Sequence, residues 1–254
     1  MTADSLGDRM KTFENAFRHS LPIRMPIMAR IDGKAFHSYT KGCERPFDTK
    51  LESVMNDTAK YLCENIQGAK LAYIQSDEIS ILINNYESLD SGQWFENNIQ
   101  KMASVTAGMA SGVFTSLSHH IFGATKLAVF DSRFWILPKE EVCNAFLWRQ
   151  QDNTRNSVQM LARSLFSHKE CTNKNNSQLQ EMCFKKGSNW NDLPTARKRG
   201  RCIVKVSKEI DVVNRRTNLP EKAIRSNWEI DAEIPIFSQD RNYINRFVFT
   251  EINS

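Results

Sequence analysis

The stretch Leu71-Ala72-Tyr73-Ile74-Gln75-Ser76-Asp77-Glu78-Ile79-Ser80-Ile81-Leu82-Ile83 decides the fold. Two apolar runs of strand length flank a polar step, which reads as a β-hairpin over 70–76 and 79–83 with an acidic pair at its turn. Upstream, Pro26-Ile27-Met28-Ala29-Arg30-Ile31 is a further strand that runs into Asp32-Gly33-Lys34. Between them the spacing predicts an amphipathic helix over 49–66, with Thr49 and Glu52 placed as a capping box and Gly68 closing it. Downstream, apolar residues at 95, 99, 102, 105, 109, 113 and 117 predict a long helix over 93–118. Its small residues Ser104, Gly108, Ser111 and Gly112 would let the sheet approach. A strand over 126–137 ends at Pro138. The order β-α-β-β-α-β is the split βαβ or ferredoxin-like arrangement, an α+β fold. In it strands one and three are neighbours, so Asp32 and Asp77 face one site.

Two ionised carboxylates at adjacent strand ends repel unless cations bridge them. Hard oxygen ligands suit Mg²⁺, usually held by one or two carboxylates plus substrate phosphates. Two such ions about 3.5–4 Å apart are the layout of phosphoryl or nucleotidyl transfer. Asp77 and Glu78 alternate faces if the strand stays regular, so Asp77 is the expected ligand and Glu78 stands in support or at the rim.

The chain's 254 residues allow one large domain or two intimate ones. No apolar run approaches the ~18 residues of a membrane span. The acidic start Met1-Thr2-Ala3-Asp4 lacks the apolar core of a secretory signal, so a cytoplasmic protein is expected, with an organelle not excluded. Cysteines at 43, 63, 143, 171, 183 and 202 form no zinc-ligand spacing and are expected as reduced, mostly buried thiols.

Charge is uneven. Between Lys185 and Arg225 twelve Lys or Arg stand against four acids, which leaves that segment at +8 and the rest of the +5 chain at −3. A basic region on a nearly neutral body is an electrostatic footprint for a polyanion; a solvated face that binds nothing is the other reading. A helix is expected from Lys139 to about Phe166, broken near Asn153. A polar loop or linker is expected over 168–180, and a strand over 202–206. Residues 1–165 are therefore read as a catalytic α+β domain and 166–254 as a C-terminal basic region packed on it.

Four motifs in register, Arg30-Ile31-Asp32-Gly33-Lys34-Ala35-Phe36-His37, Arg45-Pro46-Phe47-Asp48, Gln75-Ser76-Asp77-Glu78 and Phe130-Asp131-Ser132-Arg133, resemble the tRNA(His) guanylyltransferase superfamily. The resemblance implies a polymerase-like palm that adds nucleotides in the 3′-to-5′ direction at a tRNA 5′ end, after ATP activates a 5′-monophosphate. After Trp148-Arg149-Gln150 the guanylyltransferases carry a His-Ile-Asn segment. Here Thr154 takes the place of that histidine and Asn156 keeps the asparagine. With Gly187-Ser188-Asn189-Trp190-Asn191-Asp192-Leu193-Pro194 and Ile234-Pro235-Ile236-Phe237, this variant is similar to the Thg1-like branch, associated with repair of truncated tRNAs.

On this resemblance Asp32 and Asp77 hold two Mg²⁺ ions with the Gly33 carbonyl, and Glu78 joins the catalytic group. Glycine at 33 would let the backbone approach an ion or phosphate. Lys34, Ala35, Phe36 and His37 would cradle a triphosphate through backbone N–H groups. Arg45 would meet ATP phosphate, Ser76 a triphosphate oxygen, Lys101 a phosphate, and Asn156 the activating nucleotide. Lys185, Lys186, Arg197, Lys198, Arg199 and Arg201, with Trp190 and Trp228, form the expected tRNA surface. Asp131 with Arg133 reads as a structural ion pair. Arg30 reads as either an ion-pair partner or a substrate contact. The substrates implied are nucleoside triphosphates and tRNA, and the assembly a homodimer or homotetramer. Addition of a single G to tRNA(His), cyclase chemistry on a similar palm, and a non-catalytic RNA-binding module are the competing readings.

Overall fold

The computed structural model describes residues 5–249 except 89, 124–125, 214–215 and 217–218. Arg215 of the basic segment thus lies outside the described residues. Six strands form one antiparallel sheet in the order β4-β1-β3-β2-β5-β6. The strands are β1 (Ile27–Gly33), β2 (Ala69–Gln75), β3 (Glu78–Ile83), β4 (Phe130–Ile136), β5 (Arg201–Val213) and β6 (Pro220–Asp231). The first four carry the expected ferredoxin-like order, with β1 and β3 adjacent. The last two extend the same sheet beyond β2, through pairs such as Tyr73↔Cys202.

Alternation along the strands gives the sheet two apolar faces. Ile27, Ala29, Ile31, Ile74, Ile79 and Ile81 pack beneath α3 (Thr49–Asn65) and α4 (Ile99–Phe122). Met28, Leu71, Tyr73 and Leu82 pack on the opposite face against Val142 and Phe146 of α5 (Lys139–Leu165) and against Ile234, Phe237 and Ile244 of the C-terminal segment.

Several expectations change. The cap of α3 is Asp48, not Thr49: its carboxylate accepts from the N–H groups of Glu44, Lys50 and Leu51. Helix α4 starts at 99, because Phe95, Glu96 and Asn97 have positive φ and Asn98 caps the helix. Its glycines do not meet the sheet, since a Cβ at Gly108 or Gly112 would enter open space. The buried positions are Met102, Thr106, Ala110, Phe114 and Ser118. Helix α5 is not broken at Asn153 but runs unbroken for 27 residues. The segment expected as a loop holds α6 (His168–Cys171) and α7 (Asn176–Lys185), each opened by a capping box, Ser167 with Glu170 and Asn175 with Gln178. These polar residues are helix starts rather than linker. A short helix α8 (Thr195–Arg199) follows and ends at Gly200, whose φ is +80°. A Cβ there would lie 2.5 Å from the Tyr73 hydroxyl, which donates to the Arg199 carbonyl. All six cysteines are free thiols, and no described helix is long and apolar enough to cross a membrane.

Asp48 satisfies three backbone donors at the start of α3. Asp48→Ala should lower unfolding stability by about 1–2 kcal/mol, read from urea denaturation with an unchanged m-value.

Candidate active site

The end of β1 meets the β2–β3 turn. Ser76 has φ of 47°, a left-handed turn residue, and the Gly33 N–H donates to the Asp77 carbonyl at 3.1 Å. Strand register places Asp32 directly opposite Glu78 on one side and Asp131 on the other. Directly opposed residues share a face, so these three carboxylates project toward the α5 side of the sheet. Asp77 joins them from the turn.

Two of the four acids have their own cation. Arg149 of α5 grips Glu78 at two points, Nε to Oε1 at 2.7 Å and Nη2 to Oε2 at 2.9 Å. Arg133 pairs with Asp131 at 2.7 Å, the ion pair expected from sequence. Among the described residues no cationic side chain pairs with Asp32 or Asp77 within 4 Å. Burial, then Asp77, Glu78 and Asp131, push the Asp32 carboxyl above the usual range, against the pull of Arg30. Burial likewise raises Asp77, with hydrogen bonds from its own backbone N–H and the Ser76 side chain opposing and Glu78 adding to the rise. Both groups behave as uncompensated negative charge. No three His, Cys, Asp or Glu side chains among the described residues form a ready cage. Two open carboxylates instead match the sparse coordination that Mg²⁺ completes with water and phosphate.

Two hollows flank the turn, of about 660 and 500 Å³, within the range of small-molecule sites. Asp32, Ser76, Asp77, Asn156, Met160 and Arg163 line both. The larger is also walled by Gly33, Ala35, His37, Arg45 and Arg197. Arg30 and Arg149 line the smaller. Among the described residues Arg30 makes no ion pair within 4 Å; its guanidinium stacks on Trp148 at 5.7 Å and its Nε is buried without a hydrogen-bond partner there.

Other expected site residues are placed differently. The Lys34 N–H is already used on the Val129 carbonyl at 2.8 Å, and Lys34 lines neither hollow. Phe36 lines the larger hollow but its ring belongs to the core, with its centroid 4.9 Å from that of Phe130 and 5.2 Å from that of Phe114. Its ring also explains Gly33, because a Cβ there would sit 2.3 Å from it. Ala35 is left-handed at φ 55° and opens α2 (Phe36–Tyr39), whose first N–H groups face no intrahelical acceptor. His37 is exposed beside Ser38. Lys101 lines neither hollow; it lies over the Phe95 ring at the start of α4.

The basic segment divides. Arg197 pairs with Glu52 at 3.0 Å and faces the larger hollow instead of an outer RNA surface. Arg201 is buried, bonded to Asn56 and the Glu52 carbonyl, and burial draws its guanidinium down to about 10. Lys185 pairs with Glu181, Lys186 reaches the Leu165 carbonyl, and Lys198 reaches the Asn191 carbonyl. Arg199 is half-buried. Trp228 is buried in the core, which takes its ring away from an RNA surface, whereas Trp190 is half-buried with its indole N–H donating to Ser157 at 2.9 Å. Trp148 and Phe184 are among the exposed aromatics. Sequence reasoning missed Arg149, Asn153, Ser157 and Arg163 at the site. Their helical spacing on α5 is the signal that would have found them.

A family model described as tRNAHis guanylyltransferase matches residues 7–138. A solved bacterial tRNA(His) guanylyltransferase (Thg1)-like protein in complex with ATP is 48% identical, with a TM-score of 0.86 over 96% of this chain and 99% of that one. A solved bacterial tRNA(His) guanylyltransferase (Thg1)-like protein in complex with GTP is 48% identical, with a TM-score of 0.83 over 97% of this chain and 100% of that one. A probable tRNA(His) guanylyltransferase of Dictyostelium discoideum is 26% identical, over 88% of this chain and 90% of that protein.

Asp77 ionised in the fold costs stability without a cation. Its raised pKa means the folded state holds a proton more readily than the unfolded chain, so the cost is full at neutral pH and fades as pH falls through the carboxylate range. Asp77→Asn in EDTA should therefore melt a few degrees above wild type at neutral pH. That gap should close toward pH ~4 and when Mg²⁺ is added to wild type, as followed by differential scanning calorimetry.

Proposed function

The chain belongs to the tRNAHis guanylyltransferase family and is a nucleotidyltransferase, and from that premise we propose that it is a template-dependent 3′-5′ polymerase that restores missing nucleotides at the 5′ end of truncated tRNA. The observation that carries this is the pair Asp32 and Asp77, left without cationic partners between two nucleotide-sized hollows. Two hollows suit a reaction of two nucleotide-dependent steps, activation of a 5′-monophosphate by ATP and attack by the 3′-hydroxyl of an incoming triphosphate. The similarity to the solved Thg1-like protein bound to ATP and to GTP supports the same reading.

In this reading Asp32, Asp77 and the Gly33 carbonyl hold two Mg²⁺ ions, which would neutralise charge during in-line phosphoryl transfer. The protein's part is positioning. Ser76 and the free N–H groups at the start of α2 bind triphosphate oxygens, with Ala35 setting the helix direction. Arg45, His37 and Arg163 contribute to the wall of the larger hollow, where the activating nucleotide sits against Asn156. Residues 1–165 act as the catalytic palm and 166–254 carry the tRNA, through Lys185, Lys186, Lys198, Arg199 and the exposed Phe184 beside them. Thr154, in place of the guanylyltransferase histidine, favours repair over single-G addition to tRNA(His). A homo-oligomer is supported by α1 (Ser5–Asn15), which buries no residue: Leu6, Met10 and Phe13 recur at helical spacing and all are exposed.

A tRNA transcript lacking its first 5′ nucleotide, supplied with Mg²⁺, ATP and all four triphosphates, should regain the templated base with wild type and not with Asp77→Ala. Extension of tRNA(His) by one G alone would instead assign the guanylyltransferase activity. Light scattering should give a mass above the 29.3 kDa of one chain, and Leu6→Glu with Phe13→Glu should lower it.

A further inference from the structure

The motif Trp148-Arg149-Gln150 has one member unaccounted for. Gln150 ties the C-terminal segment to α5, donating to the Pro235 carbonyl and accepting from the Phe237 N–H, each at 2.9 Å. Arg149 has no such scaffold partner. It is a buried cation whose acceptors are Glu78, at two points, and Asp152, at 2.7 Å. The Trp148 ring covers its guanidinium at 4.3 Å. Glu78 in turn is saturated: Oε1 also accepts from Gln75 Nε2 at 3.1 Å and from Ser80 Oγ at 3.2 Å.

Glu78 follows Asp77 directly and lies opposite Asp32 across the β1–β3 ladder. Whatever holds Glu78 therefore holds both ends of the acidic pair. A two-point guanidinium–carboxylate contact fixes direction as well as distance. It is also the only ion pair among the described residues that links α5 to the β2–β3 hairpin. We propose that Arg149 is a positioning residue for the cation site: acting through Glu78, it locks the hairpin turn so that Asp77 meets Asp32. This rests on the reading that Asp32 and Asp77 bind divalent cations. Arg149 lines the smaller hollow, but in this proposal it acts through Glu78 rather than as a ligand of the ion.

The test measures Mn²⁺ affinity by electron paramagnetic resonance, beside steady-state kinetics and thermal melting, on the full chain. Wild type should bind Mn²⁺ and Asp77→Ala should not; if Asp77→Ala binds as wild type does, the site reading fails before Arg149 is at issue. Arg149→Met should weaken Mn²⁺ binding and lower kcat by about 10–100-fold, the usual cost of removing a group that orients a metal ligand, with the KM for triphosphate little changed. Glu78→Gln should do likewise. The double variant should be no worse than the worse single one, because both remove one contact. Wild-type Mn²⁺ affinity in a folded Arg149→Met protein, or losses that multiply in the double variant, overturn the proposal. Should Arg149→Met not fold, Arg149→Lys keeps the charge but not the two-point grip. An intermediate loss of Mn²⁺ affinity near the wild-type melting temperature is then expected, and wild-type affinity overturns the proposal.

Discussion

Four carboxylates crowd one end of the sheet, and the rest of the site depends on how that charge is divided. Asp32, Glu78 and Asp131 stand side by side in register, and Asp77 hangs over them from the turn. Left alone, such a cluster would repel itself and drive protonation. Arg149 neutralises Glu78 and Arg133 neutralises Asp131. Asp32 and Asp77 are left without a paired cation and still feel the neighbouring carboxylates, so the unrelieved charge sits on these two. The same uncompensated charge costs stability in this corner of the sheet, a cost accepted at functional sites.

Helix α5 transmits that arrangement to the rest of the molecule. Its buried face is apolar near its start, with Val142 and Phe146 on the sheet, and apolar again near its end, with Val158 and Leu161 under α7. Between them the face is polar, and each polar group is used. Arg149 holds the hairpin, Gln150 the C-terminal segment and Asn153 the Arg197 carbonyl, while Ser157 accepts from Trp190. Buried polar groups are tolerated only when bonded, and here the bonds run to four separate elements. One helix thus sets the positions of the turn, the tail and α8 relative to the two hollows.

The palm was legible because its signals are local. Alternation in 71–83, helical period in 49–66 and the acidic turns at 32 and 77 gave four strands in their right order. Two features were not legible. The polar stretch of α5 looked like a break because sequence carries no record of tertiary partners, and a buried Asn153 reads like a solvated one. The basic segment read as one surface because charge counts carry no direction. Arg197 and Arg201 turn inward to Glu52 and Asn56, while Lys185 ends a helix on the outside. Likewise Gly33 invited a ligand-approach explanation. The nearer cause is steric, since the Phe36 ring occupies the space its Cβ would need.

Thr154 lines neither hollow, yet its contacts bear on the wall of the larger one. Its hydroxyl lies 3.0 Å from the Gln150 carbonyl and 3.2 Å from that of Lys198, so the single proton is shared between the helix's own turn and α8. Asn153 beside it reaches the Arg197 carbonyl. Together they dock α8 on α5, and α8 brings Arg197 to the larger hollow and, through Gly200, lets β5 enter the sheet. A bulkier ring at 154 would have to displace the Lys198 carbonyl or leave the helix face. The small hydroxyl is therefore consistent with a cleft wall held by backbone acceptors, in which the identity of residue 154 is felt through the position of Arg197.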